Sequence, residues 1–130
     1  MQILIVDDNE MVRRGLTRLL SLWPAWKVCG EASDGSEALH KAQELCPDII
    51  LLDISMPGAN GLDVVRTLRH EMPETKIVIM SQHDPILVLP RALEAGAHAC
   101  VDKDSLSTDL LPTIERLVKN SNARRATNAE

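Results

Sequence analysis

Four short runs in this chain each end on a polar residue. Ile3-Leu4-Ile5-Val6 precedes Asp7-Asp8, Ile49-Ile50-Leu51-Leu52 precedes Asp53, Ile77-Val78-Ile79-Met80 precedes Ser81, and the shorter Cys100-Val101-Asp102 precedes Lys103. Apolar runs of four, rich in Ile and Val, read as strands buried on both faces, which is the habit of parallel strands. In an open parallel sheet, ligands sit in the crevice outside the carboxyl ends of the strands. The pattern therefore brings three carboxylates, one hydroxyl and one ammonium to a single edge of a single sheet.

Between these runs the chain alternates strand and helix. Gln2 to Val6 is a predicted strand, and Glu10 to Leu22 a helix with Val12, Leu16, Leu19 and Leu20 on one stripe. Pro24 follows it, then a strand from Trp26 to Gly30. Asp34 with Glu37 three residues on has the form of a capping box opening a helix from Gly35 to Leu45. Pro47 precedes the central strand, Asp48 to Leu52, and Pro57-Gly58 and Asn60-Gly61 are turn chemistry within the loop Ile54 to Asn60. A helix from Gly61 to His70, a strand from Thr75 to Met80, a less regular segment from Asp84 to Ala95, a strand from His98 to Val101 and a helix from Ser107 to Lys119 complete the order. The fold class this implies is α/β, a doubly wound five-stranded parallel sheet with helices on both faces. Residues 1–119 form the domain, and 120–130, polar with Arg124-Arg125, read as a linker or a disordered end.

Composition excludes several classes of function. With 130 residues and 45% of them hydrophobic, the chain buries one core without staples. Trp23 and Trp26 are its only aromatics, so that core is aliphatic. A net charge of -5 argues against a nucleic-acid-binding face on the domain itself. Cys29, Cys46 and Cys100 are odd in number and lack metal spacing, and a core strand follows Met1 directly, so a reduced, cytoplasmic protein is expected. No apolar stretch has the length of a membrane span. His40, His70 and His98 read as surface or turn residues, and no pair of them has metal spacing.

The five polar residues at the strand ends carry the chemistry. Two like charges about 4 Å apart repel by roughly 4 kcal/mol at an effective dielectric near 20, so Asp7, Asp8 and Asp53 need a cation among them. Mg²⁺, a hard ion that takes one or two carboxylates and keeps waters, suits an open site of this kind. Lys103 adds a second positive charge able to pair with a carboxylate or a phosphoryl oxygen. A carboxylate is also a nucleophile that forms an acyl phosphate, and Asp53, ending the middle strand alone, is the best candidate. Asp7 and Asp8, paired at the end of the first strand, suit the metal, and Ser81 offers a hydroxyl to a phosphoryl oxygen.

The segments IVDDNEMVRRGL, EASDGSEAL, PDIILLDISMPGANGLDV, IVIMSQHD and EAGAHACVDKD resemble the receiver domain of bacterial two-component response regulators. Within that family they are most similar to the subfamily with a LuxR-type helix-turn-helix output, and the similarity covers about residues 2 to 119. The resemblance implies the flavodoxin-like receiver fold and a phosphoacceptor at Asp53, charged from the phosphohistidine of a sensor histidine kinase. It implies Mg²⁺ on Asp8, Asp53 and the backbone carbonyl of Ser55, with Asp7 acting through a metal-bound water. Ser81 becomes the switch hydroxyl and Lys103 the phosphoryl contact. Phosphorylation would then remodel the face of the fourth helix, fifth strand and fifth helix and so control an output. That output is expected to be transcription, through a DNA-binding domain beyond this chain; a chain that stops here would act on a protein partner instead.

Three positions depart from the family pattern. The aromatic residue usual three before the lysine is Cys100, which reads either as a small buried hydrophobe or as a sign that switching is coupled differently. In Asp84-Pro85-Ile86-Leu87-Val88-Leu89-Pro90, the second proline predicts a helix that starts late, kinks, or is extended before Pro90. Leu87 and Val88 are the residues expected to be exposed, either as a homodimer contact on the switching face or within a locally buried irregular loop. Pro112 predicts a last helix that begins nearer Leu111 or bends there. His83 and Ser55 are expected to border the phosphoryl site.

Rival readings fare less well on the same residues. An aspartyl-phosphate phosphohydrolase of the haloacid-dehalogenase kind wants a second Asp two residues after the nucleophile, where this chain has Ser55. A flavodoxin-like electron carrier wants a phosphate-cradling loop after the first strand, and Asp7-Asp8-Asn9-Glu10 would repel such a ligand. A phosphate-independent adaptor acting by protein contact would ordinarily have lost an acid or the lysine. The chain is therefore expected to be a signalling domain that catalyses only its own phosphorylation and dephosphorylation.

Overall fold

The computed structural model of the chain describes residues 1–56, 60–82 and 84–128. Part of the Ile54 to Asn60 loop, and His83, lie outside the described residues. Five strands alternate with five α-helices: β1 (Gln2–Val6), α1 (Glu10–Leu20), β2 (Lys27–Ala32), α2 (Gly35–Leu45), β3 (Ile49–Asp53), α3 (Gly61–Glu71), β4 (Lys76–Ser81), α4 (Pro85–Ala95), β5 (Ala99–Asp102) and α5 (Leu106–Asn128), with a 3₁₀ turn at Lys103–Ser105. The sheet is wholly parallel in the order β2-β1-β3-β4-β5. The chain leaves β1 toward one edge and returns through β3 toward the other, so the topological switch point lies between β1 and β3.

Side-chain alternation along the strands divides the core into two layers. Ile3, Ile5, Leu51, Val78 and Met80 face Leu16 and Leu20 of α1 and Leu110, Ile114 and Leu117 of α5. Leu4, Val6, Ile50, Leu52, Ile77 and Ile79 face Ala38 and Ala42 of α2, Val64, Val65 and Leu68 of α3, and Ala92 and Ala95 of α4. The small alanines of α2 and α4 let those helices approach the sheet closely. Every residue of β3 is buried, as the two-sided apolar run requires.

Helix starts follow from local side chains. Asn9 Oδ1 accepts from the amides of Met11 and Val12 at 2.9 and 3.3 Å, and Asn60 and Asp84 cap α3 and α4 in the same way. Asp34 Oδ1 accepts the Glu37 amide at 2.8 Å, while the Glu37 carboxylate turns to Lys41 at 3.2 Å. The backbone half of the expected capping box therefore forms, and its acidic residue joins an i,i+4 pair.

The proline-containing helices start earlier than expected. The helix α4 begins at once on Pro85 and continues through Pro90 to Ala95, with no late start and no extended stretch. Pro90 is tolerated because it is exposed and the carbonyl it leaves without a donor belongs to Ile86, itself 79% exposed, where solvent can reach the backbone. The same holds for Pro112, exposed and four residues after exposed Thr108, so α5 starts at Leu106 rather than near Leu111. On α4 the exposed apolar pair is Ile86 and Leu87 (75% exposed); Val88 is half-buried and packs on the core, because the helical turn carries it round to the sheet. The backbone of α5 continues as helix past Lys119 as far as Asn128. The first helix stops at Leu20, leaving Leu22 outside it and exposed.

Two glycines give a clean test of this packing. A Cβ on Gly15, midway along α1, would meet no atom within 4 Å. One on Gly96 would lie 2.5 Å from Arg69 Cγ, at a backbone φ of +113°. Urea denaturation should show Gly15→Ala gaining about 0.5–1 kcal/mol from helix propensity alone. Gly96→Ala should lose at least a similar amount, because it adds steric contact to left-handed strain.

Candidate functional site

The polar residues at the strand ends converge as the topology requires. Asp7 and Asp8 follow β1, Asp53 closes β3, Ser81 closes β4, and Lys103 opens the turn after β5. Strands β1 and β3 are neighbours, which sets Asp7 and Asp53 side by side across the switch point. Asp7, Asp53 and Ser81 are buried, whereas Asp8 is exposed. One carboxylate oxygen from each of Asp7, Asp8 and Asp53 can be chosen so that all three lie within 4.8 Å of one another.

Both buried carboxylates are held by the same device. Asp7 Oδ1 accepts the amide of Asn9 and Asp53 Oδ1 accepts the amide of Ser55, each at 2.9 Å. Such turns, in which an aspartate binds the amide two residues on, freeze the side chain against its own backbone. Each Oδ2 is left facing inward, and Lys103 Nζ lies 2.8 Å from that of Asp7 and 3.2 Å from that of Asp53. The lysine donates a hydrogen bond to Asp53. Its contact with Asp7 is an ion pair without hydrogen-bond geometry, so Asp7 Oδ2 is the buried side-chain oxygen that lacks a hydrogen bond among the described residues.

Charge explains the lysine's titration. Burial pushes the Lys103 ammonium down, but its attraction to the Asp7 and Asp53 carboxylates outweighs burial and raises it above its ordinary 10.5. It is therefore fully charged at neutral pH. Even so, one ammonium faces three carboxylates. The net negative charge and the under-bonded Asp7 oxygen fit a hard divalent cation with oxygen ligands, and Mg²⁺ suits this donor set.

Behind Asp7 lies a layer that the sequence pattern does not signal. Arg13, on the first turns of α1, donates from Nη1 to the Asp7 carbonyl at 2.7 Å and from Nε to Glu31 of β2 at 3.0 Å. A spacing of six residues between an acid and an arginine carries no recognisable signature. Asn9 was legible in principle as a polar residue just ahead of a helical stripe. His98 is likewise no ordinary turn residue: it is half-buried, and its Nδ1 accepts the Ile77 amide at 3.0 Å. Cys100 is half-buried against the layer that includes α4, and its thiol is pushed up to about 11 by burial and by nearby Asp102.

Residues 3–115 match the family model described as the response regulator receiver domain. The chain belongs to the response regulator receiver family. The receiver is 39% identical over 119 residues to the response regulator GacA of Pseudomonas viridiflava, covering 90% of this chain and 54% of that protein. It is 38% identical to the transcriptional regulatory protein LiaR of Bacillus subtilis (strain 168), over 91% of this chain and 56% of that one. Its fold is similar to the crystal structure of a LuxR-family two-component response regulator from Aurantimonas sp. SI85-9A1, with a TM-score of 0.86, 34% identity, and coverage of 92% and 85% of the two chains. The receiver thus spans about half the length of the curated relatives it matches. It is a signalling domain with LuxR/NarL-type relatives. Among the described residues no helix is long and apolar enough to cross a membrane.

The thiols provide a pH test of the site's surroundings. A thiol with a pKa of about 11 carries only about a thousandth of its population as thiolate at pH 8. Peptide mapping after iodoacetamide should find exposed Cys46 modified first and Cys100 slowly, with the Cys100 rate rising about tenfold per pH unit toward 11. Rapid modification of Cys100 at pH 7 would contradict its placement.

Proposed function

We propose that the receiver takes a phosphoryl group on Asp53 from the phosphohistidine of a sensor histidine kinase, in a Mg²⁺-dependent transfer. The single observation that supports this most is the juxtaposition of three carboxylates within 4.8 Å with Lys103 Nζ at 2.8 and 3.2 Å from two of them. Asp53 is the acceptor because it ends the central strand, one turn-forming oxygen fixed by the Ser55 amide. Asp8 and Asp53, with the Ser55 carbonyl, would hold the ion, and Asp7 would act through a bound water. Bound there, Mg²⁺ supplies a charge that offsets the negative charge of the transferring group. A carboxylate oxygen of Asp53 attacks phosphorus in line with the departing imidazole, the P–N bond breaks, and an acyl phosphate forms.

Lys103 is positioned to follow this change. It bonds Asp53 before transfer and a phosphoryl oxygen after it, keeping its ion pair with Asp7 throughout. Ser81, buried at the end of the neighbouring strand, is the hydroxyl that engages the new group. The addition of about 1.5–2 negative charges biases the α4-β5-α5 face, where Cys100 and Val88 pack inward and Ile86 and Leu87 are exposed. That apolar pair is suited to a second copy of the chain. The output is transcriptional, carried by a DNA-binding domain beyond the matched half, in keeping with relatives such as LiaR.

Intact-mass spectrometry tests the acceptor directly. After incubation with Mg²⁺ and acetyl phosphate, the wild type should gain one phosphoryl mass, and Asp53→Asn or added EDTA should abolish the gain. An adduct that persists in Asp53→Asn would move the acceptor elsewhere. No adduct, together with no Mg²⁺ binding by calorimetry, would leave a receiver acting by protein contact alone.

A further inference from the structure

We infer that Arg13 is a positioning residue for the acidic site: by joining the Asp7 carbonyl to Glu31, it fixes the peptide that carries Asp8 and thereby sets the affinity of the site for a divalent cation. The inference rests on the metal-dependent reading above and deepens it. Asp7 is tied to the edge strand β2 through both of its backbone groups. Its N–H donates to the Ala32 carbonyl at 3.0 Å, and its carbonyl accepts Arg13 Nη1 at 2.7 Å. The guanidinium is fixed in turn by Glu31 Oε1 at 3.0 Å, with the Arg13 side chain only 17% exposed. Lys41 donates to the Glu31 carbonyl, which secures the strand end that anchors this bridge.

The Asp7 carbonyl and the Asp8 amide belong to one rigid plane. Holding that oxygen therefore determines where Asp8 begins. This matters for Asp8 more than for the other acids, because Asp7 and Asp53 are buried and locked by their own turns while Asp8 is exposed. On its other side Asp8 is followed by Asn9, whose amide binds Asp7 and whose side chain caps α1. Within this frame, Arg13 closes the remaining rotation. The bidentate fork suits the task, because one planar group serves a carbonyl and a carboxylate at once, which a lysine cannot reproduce.

Charge and position make opposite predictions for Arg13. A guanidinium bonded to the Asp7 carbonyl repels a cation entering the acidic site, so as a bystander its removal would tighten Mg²⁺ binding. As a positioning residue its removal would loosen the Asp8 peptide and weaken binding. Outer-layer partners of metal ligands typically contribute about 10–100-fold in affinity.

The test is calorimetric titration of the chain with Mg²⁺, repeated with Mn²⁺ by electron paramagnetic resonance, for wild type, Arg13→Met, Arg13→Lys, Glu31→Ala and the Arg13→Met/Glu31→Ala double variant. Arg13→Met is expected to raise Kd about tenfold or more, and Arg13→Lys to recover only part of that. Glu31→Ala should weaken binding as well, yet add nothing in the Arg13→Met background, because the two act as one unit. High Mg²⁺ should restore acetyl phosphate labelling of Arg13→Met, which a misfolded variant would not allow. Unchanged or tighter Mg²⁺ binding in Arg13→Met, with the wild type binding normally, would overturn the Arg13 inference alone. Absent binding in the wild type, or binding unaffected by Asp8→Asn, would instead overturn the metal-dependent reading on which it stands.

Discussion

One ammonium between two buried carboxylates is the interaction on which this structure depends. Lys103 Nζ sits 2.8 Å from Asp7 and 3.2 Å from Asp53, and those acids close the two strands at the middle of the sheet. Without a counter-charge, β1 and β3 would carry like charges to adjacent ends of a fully buried strand pair, at a repulsion of several kcal/mol. The lysine arrives from the far edge strand, so it also fastens β5 and the start of α5 to the centre of the sheet. Because one positive charge does not balance three negative ones, the same arrangement that closes the fold leaves an opening for a second cation. Structural necessity and chemical competence share one set of atoms.

The parallel sheet supplies this arrangement without special geometry. Doubly wound chains reverse direction once, and the ends of the two strands at the reversal diverge to leave a crevice. Asp7-Asp8 and Asp53 occupy that crevice, and each buried aspartate uses one oxygen to close its own turn and the other to face the lysine. Rigidity at the acids contrasts with the α4 face. There a helix with two prolines exposes Ile86 and Leu87 to solvent.

Much of this was legible in the chain itself. The runs Ile3–Val6, Ile49–Leu52 and Ile77–Met80 read as two-sided strands, and the polar residues that end them are Asp7, Asp8, Asp53 and Ser81. What escaped was whatever depends on where solvent reaches. Pro90 and Pro112 predict late starts or bends, because sequence gives the lost hydrogen bond but not the exposure of Ile86 and Thr108, where water can reach the backbone. Four consecutive apolar residues do not reveal the helix phase, which puts Ile86 rather than Val88 beside Leu87 in solvent. Arg13 and Glu31 lie eighteen residues apart on different elements, and His98 binds a strand twenty-one residues away. Such contacts follow from register, which only the folded sheet defines.

The most direct measurement is urea denaturation in EDTA at low salt, comparing wild type with Lys103→Met and with Lys103→Met/Asp53→Asn. If the lysine balances the buried acids, Lys103→Met should lose about 3 kcal/mol, and adding Asp53→Asn should recover a substantial part by removing one uncompensated charge. Mg²⁺ should then stabilise Lys103→Met by mass action. A Lys103→Met variant within about 0.5 kcal/mol of wild type, unaffected by Asp53→Asn or by Mg²⁺, would contradict the account, because a dispensable lysine leaves the acids no reason to need a cation.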